Sequence, residues 1–198
     1  MAGHAFDCAS NNAEKGAWKT VSEQAMCLVF IGMPGSGKST LASAMARTLG
    51  WACLDTDHLM EAWYGLPLEA LGQALGLNHF LQAEERTLLS LDVKRCIIAT
   101  GGSAVYSSQA MQALKRSGVI VYLQADYPTI LQRVSRHPDR GLAMQPGQSL
   151  YDLYVERRNL YERYADLSLS TATASVQDCI HKLESTIYAR WPQEKAPQ

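Results

Sequence analysis

Gly32-Met33-Pro34-Gly35-Ser36-Gly37-Lys38-Ser39 is the stretch that decides how the rest of the chain is read. It matches the pattern G-x-x-x-x-G-K-[ST]. It also stands where that pattern carries meaning, behind the apolar run Cys27-Leu-Val-Phe-Ile31 and ahead of a segment with helical spacing, Ser39 to Leu49, that stops at Gly50. Glycines at 32, 35 and 37 let the backbone curl until successive amides face inward toward an anion. The positive end of the following helix adds to that attraction. Lys38 supplies a point charge for the β- and γ-phosphates of a nucleotide, and the Ser39 hydroxyl suits Mg²⁺. Gly35, Ser36, Gly37, Lys38, Ser39 and Thr40 are therefore the expected nucleotide-binding residues, with Ser39 the expected metal ligand.

Outward from this loop the pattern alternates. After the first apolar run, residues 51–54 read as a second strand, and residues 57–76 as one or two short helices interrupted near Gly65 and Pro67. Asn78 to Lys94 reads as a longer helix with Asn78 as its N-cap. Residues 96–100 form a third strand, 107–117 a helix, 119–123 a fourth strand and 128–135 a helix. Residues 136–148 are polar and rich in Pro and Gly, hence a loop. Residues 150–165 are helical, 167–170 a short strand, and 176–189 a closing helix. The expected fold class is α/β, in three layers, with a central parallel sheet of about five strands flanked by helices and carrying a lid. Residues 1–25 read as a flexible extension, 26–190 as the domain with its lid at about 136–148, and 191–198 as a tail.

With 198 residues the chain suits one well-buried domain rather than two. Hydrophobic residues make up 47% and charged residues 19%, as expected of a soluble globular protein. The formal net charge of -1 gives no field toward nucleic acid or anionic membrane. No apolar stretch approaches the roughly 20 residues of a membrane helix, and residues 1–19 lack the pattern of a signal peptide. The cysteines at 8, 27, 53, 96 and 179 are not clustered, so neither a disulfide framework nor a zinc site is expected. These features fit a cytoplasmic protein without a nucleic-acid or membrane partner; a monomer is the expectation. No Asn-Lys-x-Asp motif is present, which disfavours a guanine-nucleotide switch.

Four more segments carry chemistry. Leu54-Asp-Thr-Asp57 closes the second strand, where residues two apart face the same way, so both carboxylates can meet the site; a plain helix-capping turn is the other reading. Thr100-Gly-Gly-Ser103 closes the third strand, where glycines allow a ligand to lie against backbone. Arg133-Val-Ser-Arg-His-Pro-Asp-Arg140 runs from a helix into the polar loop, and could equally be a solvated basic stretch. Arg157-Arg-Asn-Leu-Tyr161 lies on the helix after it.

Taken together with the phosphate loop, these segments resemble shikimate kinases over roughly residues 27–187. The resemblance implies ATP and Mg²⁺ as cofactors and phosphorylation of a hydroxyl on a small metabolite, with shikimate the first named candidate. A paralogue with another acceptor and a non-catalytic ATP-binding module are the alternatives. It assigns Asp55 to support of the metal and Asp57 to the acceptor hydroxyls, and sets Gly101 and Gly102 beneath the acceptor. Arg133 is placed along the adenine and Arg140 on the lid, where a cation can stabilise charge during transfer. Arg157, four before Tyr161, is assigned to the acceptor's carboxylate, with Arg158 less well spaced. Lys38, Asp57 and Arg140 are the expected catalytic residues.

The chain departs from this pattern at three places. Ser103 stands where a third glycine is usual, and Gly141-Leu142-Ala143 where Pro-Leu-Leu usually follows the lid arginine. Phe80-Leu-Gln-Ala-Glu84 has leucine where Phe-Arg-x-x-Glu would supply a second arginine for the carboxylate. Arg86 is no substitute, because five residues along a helix is about 140° of rotation away.

Overall fold

The computed structural model describes residues 26–136 and 141–190. Five strands form one sheet: β1 (Cys27–Ile31), β2 (Ala52–Asp55), β3 (Cys96–Ala99), β4 (Gly118–Gln124) and β5 (Leu167–Ser170). They lie in the order β2-β3-β1-β4-β5, and every pairing is parallel. Parallel neighbours need long crossovers, which helices supply. Among the described residues these are α1 (Lys38–Leu49), α2 (Thr56–Tyr64), α3 (Leu68–Leu89), α4 (Ser108–Ser117), α5 (Tyr127–Ser135), α6 (Leu150–Tyr164) and α7 (Val176–Arg190), with a 3₁₀ turn at Ala104–Tyr106. The three-layer fold expected from the alternation is the one observed.

The sequence of β1 is continuously apolar because both its faces are covered. Cys27, Val29 and Ile31 point into a core completed by Met111 and Leu114 of α4 and by Leu153 and Tyr161 of α6. Leu28 and Phe30 point the other way, against Leu41 and Met45 of α1 and Ile180 and Leu183 of α7. Each fully buried side chain of this size contributes about 1.5–3 kcal/mol relative to exposure. The phosphate loop therefore hangs from a strand whose every residue is fully buried.

Element ends differ from expectation by one or two residues, except at α3. The helix expected over 78–94 is the second of two stretches that meet at a kink within α3; it ends at Leu89, and Asn78 lies in its first turn rather than at its cap. The break comes at Gly76, whose φ of 68° and ψ of 166° suit glycine and little else. At the far end, the Ser90 N–H donates to the Arg86 carbonyl and the Ser90 hydroxyl to the Thr87 carbonyl at 2.7 Å, closing the last turn. Apolar spacing reports the buried face of a helix and is blind to such side-chain stops.

The extension expected over 1–25, the tail over 191–198 and Arg140 lie outside the described residues. Among those described, no helix is long and apolar enough to cross a membrane.

Candidate active site

The ends of β1, β2 and β3 lie side by side, so the loops that follow them form one face, as parallel sheets dictate. The loop after β1 is the phosphate loop. Gly35 and Gly37 have φ of 82° and 96°, in the left-handed region that the curled path requires. The Lys38 ammonium donates to the Gly32 and Met33 carbonyls at 2.8 and 3.0 Å, which holds it across the mouth of the loop. Helix α1 starts there without a side-chain cap, so its first N–H groups remain available to an anion. Ser36 is different. Its N–H closes a turn onto the Met33 carbonyl at 3.0 Å, and its buried hydroxyl faces back toward Gly32. Among the described residues that hydroxyl is the buried side-chain polar atom without a hydrogen-bond partner.

A cleft of about 330 Å³ opens beside this loop, lined by Gly35 through Leu41 together with Arg133, Val134, Arg136, Thr171, Ala174, Val176 and Cys179. Of the residues expected to bind nucleotide, Gly35 to Thr40 and Arg133 line it, and Arg140 lies outside the described residues. The Arg133 guanidinium donates to the Gly35 carbonyl at 3.1 Å and to the Thr171 carbonyl at 2.9 Å. Backbone donors, an uncapped helix start, a lysine and a hydroxyl make a donor set that fits a nucleotide's phosphates and a hard cation bound through oxygen. No group of three or more His, Cys, Asp or Glu able to hold a metal unaided occurs among the described residues.

The second half of the face is built where β2 and β3 end. The expectation that Asp55 and Asp57 project together from a strand is corrected: β2 stops at Asp55 and α2 begins at Thr56. The cause is capping. The Asp55 carboxylate accepts from the Asp57 N–H at 3.0 Å and fixes the start of α2. Thr56, fully buried, accepts the Gly101 N–H on its hydroxyl at 3.0 Å, which ties the end of β2 to the end of β3. Asp57 thereby still reaches the site, from the first turn of a helix.

Gly101 and Gly102 are glycines for a visible reason. A Cβ on Gly101 would overlap the Glu84 carboxylate and lie 2.8 Å from Asp57 Oδ1. One on Gly102 would lie 2.8 Å from Pro34 Cδ of the phosphate loop and 3.1 Å from an Arg157 nitrogen. Two carboxylates, a guanidinium and the phosphate loop thus converge on two residues without side chains. Arg157 is 1% exposed. Its Nε donates to the Tyr106 hydroxyl at 3.2 Å, one Nη donates to the Ala143 carbonyl at 2.6 Å, and the guanidinium lies over the Tyr106 ring at 5.1 Å. Tyr161, stacked on Tyr122 at 5.1 Å, donates to the Gly102 carbonyl at 2.7 Å, which accounts for the Arg-to-Tyr interval read in the sequence. Arg158 instead pairs with Glu162 at the surface.

Glu84 is the residue that the sequence reading passed over as a site residue. It is 2% exposed. Burial, reinforced by Asp57, pushes its carboxyl up to about 7; a hydrogen bond from the Ser103 side chain and the charges of Arg157 and Lys38 pull the other way. Burial alone would lower the Arg157 pKa, but Tyr161, Tyr106 and Glu84 outweigh it and hold the guanidinium charged. Leu81, one turn before Glu84 on α3, is half-buried and packs with Met60, Leu71, Phe80 and Ala83. A small cavity of about 120 Å³ lies between Leu81, Glu84, Ser103 and Tyr106.

Known proteins resemble this chain in sequence and in fold. The profile of the family described as shikimate kinase matches residues 34–188. The shikimate kinase of Bordetella pertussis is 33% identical over 159 residues, covering 79% of this chain and 75% of that protein. The shikimate kinase of Neisseria gonorrhoeae is 32% identical over 161 residues, covering 79% of this chain and 95% of that protein. Among solved structures, shikimate kinase from Acinetobacter baumannii in complex with shikimate superposes with a TM-score of 0.79 at 29% identity, covering 88% of this chain and 99% of that one. A phosphate loop, an acidic helix start beside a glycine pair and a buried arginine on one sheet face, in a chain matched along most of its length, identify it as a member of the shikimate kinase family.

Proposed function

We propose that the protein transfers the terminal phosphoryl group of ATP to a hydroxyl of shikimate. The observation that supports this acceptor is the convergence of Asp57, Glu84 and Arg157 on Gly101 and Gly102, next to Pro34 of the phosphate loop. A carboxylate-bearing polyol needs a cation for its acid and acceptors for its hydroxyls, and both kinds of group are present there.

In this reading the amides of the phosphate loop and the start of α1 hold the nucleotide's phosphates, and Lys38 neutralises charge at the transferring group. Ser39, with support from Asp55, would hold Mg²⁺, which would supply further neutralisation of charge on the phosphates. Asp57 orients the acceptor hydroxyl and takes its proton as the new O–P bond forms. Arg157 holds the acceptor's carboxylate, and Gly101 and Gly102 let its ring lie against the backbone. Arg133 flanks the nucleotide, and Arg140 brings the lid's positive charge to the transition state. A cytoplasmic monomer serving aromatic amino acid biosynthesis goes with this assignment.

The test is steady-state ATP consumption, with Mg²⁺, against shikimate and a panel of hydroxylated acids and sugars. Shikimate is expected to give the highest kcat/KM. A higher value for another compound, or none above the ATPase background, overturns the acceptor.

A further inference from the structure

Two carbonyls of the phosphate loop, those of Gly35 and Ser36, are gripped by side chains, and one of the gripping residues is Thr171. It follows directly after β5 and is 8% exposed. Three bonds fix its place. Its N–H donates to the Gln124 carbonyl at 2.7 Å, its own carbonyl accepts from Arg133 at 2.9 Å, and its hydroxyl lies 2.9 Å from the Ser36 carbonyl and 3.1 Å from that of Gln124. A hydroxyl has one proton to give. The Ser36 carbonyl is the nearer of the two acceptors, so the proton is assigned to it.

That bond has a consequence on the other side of the loop. In a trans peptide the C=O and N–H of one unit point in opposite directions. The Ser36 carbonyl shares its peptide unit with the Gly37 N–H, and Gly37, with φ of 96° and open space around its Cα, has little steric reason to hold that unit in one orientation. The Ser36 N–H, by contrast, is already spent on Met33. Fixing the Ser36 carbonyl on Thr171 therefore fixes the direction of the Gly37 N–H, on the opposite side of the same peptide unit in the loop that lines the cleft. Arg133 completes the brace by bonding the Gly35 carbonyl and Thr171 at once.

We infer that Thr171 is a positioning residue for the nucleotide, whose hydroxyl presets the Ser36–Gly37 peptide so that the Gly37 N–H meets a phosphate oxygen. The inference rests on the nucleotide half of the proposed function and needs no particular acceptor. Without the hydroxyl that hold on the peptide is lost, and binding must then supply more of the ordering itself.

The experiment is ADP binding by calorimetry to wild type, Thr171→Val and Thr171→Ser, with a thermal melt of each ligand-free protein. Thr171→Val keeps the shape and removes the proton donor; Thr171→Ser keeps the donor. The expected result is a Kd about tenfold weaker for Val and within about twofold of wild type for Ser, with KM for the acceptor unchanged in both. Should Thr171→Val fold poorly, Thr171→Ala gives the same comparison. Valine or alanine binding ADP within about twofold of wild type overturns the inference, as does a serine variant as weak as valine. Because ADP binding involves no acceptor, a wrong acceptor leaves the result intact.

Discussion

The two halves of the site are made of different materials. The nucleotide half is backbone: loop amides, a helix start, and side chains such as Arg133 and Thr171 that grip carbonyls. The acceptor half is buried charge: Glu84 and Arg157 are almost sealed from solvent and share the space over Gly101 and Gly102 with Asp57. Backbone geometry is set by φ and ψ and scarcely responds to pH. Buried charges respond to pH and to one another. Changes on the nucleotide side should therefore act locally, with one exception, while changes on the acceptor side should propagate.

The exception is Lys38, the one formal charge in the phosphate loop. Lys38→Ala should lower turnover about a thousandfold or more; near-wild-type activity would mean that backbone alone carries the nucleotide half. Next in size is Asp57→Asn, expected to reduce kcat by about 10²–10⁴ while ATP and Mg²⁺ still bind. If Asp57→Asn loses Mg²⁺ affinity and Asp55→Asn does not, the roles of the two carboxylates are exchanged.

The third prediction concerns pH. The Glu84 carboxyl titrates at about 7 in the folded protein against 4.5 in the unfolded chain. Between those values the folded state holds a proton that the unfolded state has released, so stability falls as pH rises from about 4.5 to about 7 and then levels. The expected cost is about 3 kcal/mol. Denaturant unfolding of wild type and Glu84→Gln across that window should show this loss in wild type and not in the variant. Parallel curves would place Glu84 among solvated carboxylates. The smallest effect is expected from Leu81→Arg. Residues 81 and 84 share a face of α3, so an arginine there can reach both Glu84 and the acceptor's carboxylate. One added charge-assisted bond is worth about 1.5–3 kcal/mol, and KM for shikimate should fall roughly ten- to a hundredfold. No gain would mean that the pocket already meets its acid with a second partner.

The shape of the phosphate loop was legible in the sequence, because its parts are contiguous: Gly32 to Thr40 hold the loop, the lysine and the helix start in one run. Thr171 was not, since its bond to Ser36 joins residues 135 apart and a lone threonine after a strand carries no pattern. Asp57, Gly101, Gly102 and Arg157 were expected near the phosphate loop, and the structure brings them together there, yet the route of Asp57 to that place was misjudged. A strand's alternation was assumed where a capping aspartate had already started a helix. Glu84 could be read as part of a helix and not as a buried acid, because its environment comes from Asp57, Ser103 and Arg157, none of them on its own element. Contiguous motifs survive translation into one dimension; convergence does not.

β1 lies at the centre of the sheet, bonded to β3 on one side and β4 on the other, whereas β2 is an edge strand with Ala52 and Cys53 exposed. The two halves of the site are rooted in these two strands. Amide protons of β1 can exchange with deuterated water only when the sheet itself comes apart, so their rates should report the global unfolding equilibrium. Those of β2 have a cheaper route, the lifting of a single edge. Under native conditions deuterium should enter the strand that leads to Asp57 well before it enters the strand that leads to Lys38, so acceptor-site geometry should be lost through fluctuations that leave the nucleotide loop in place.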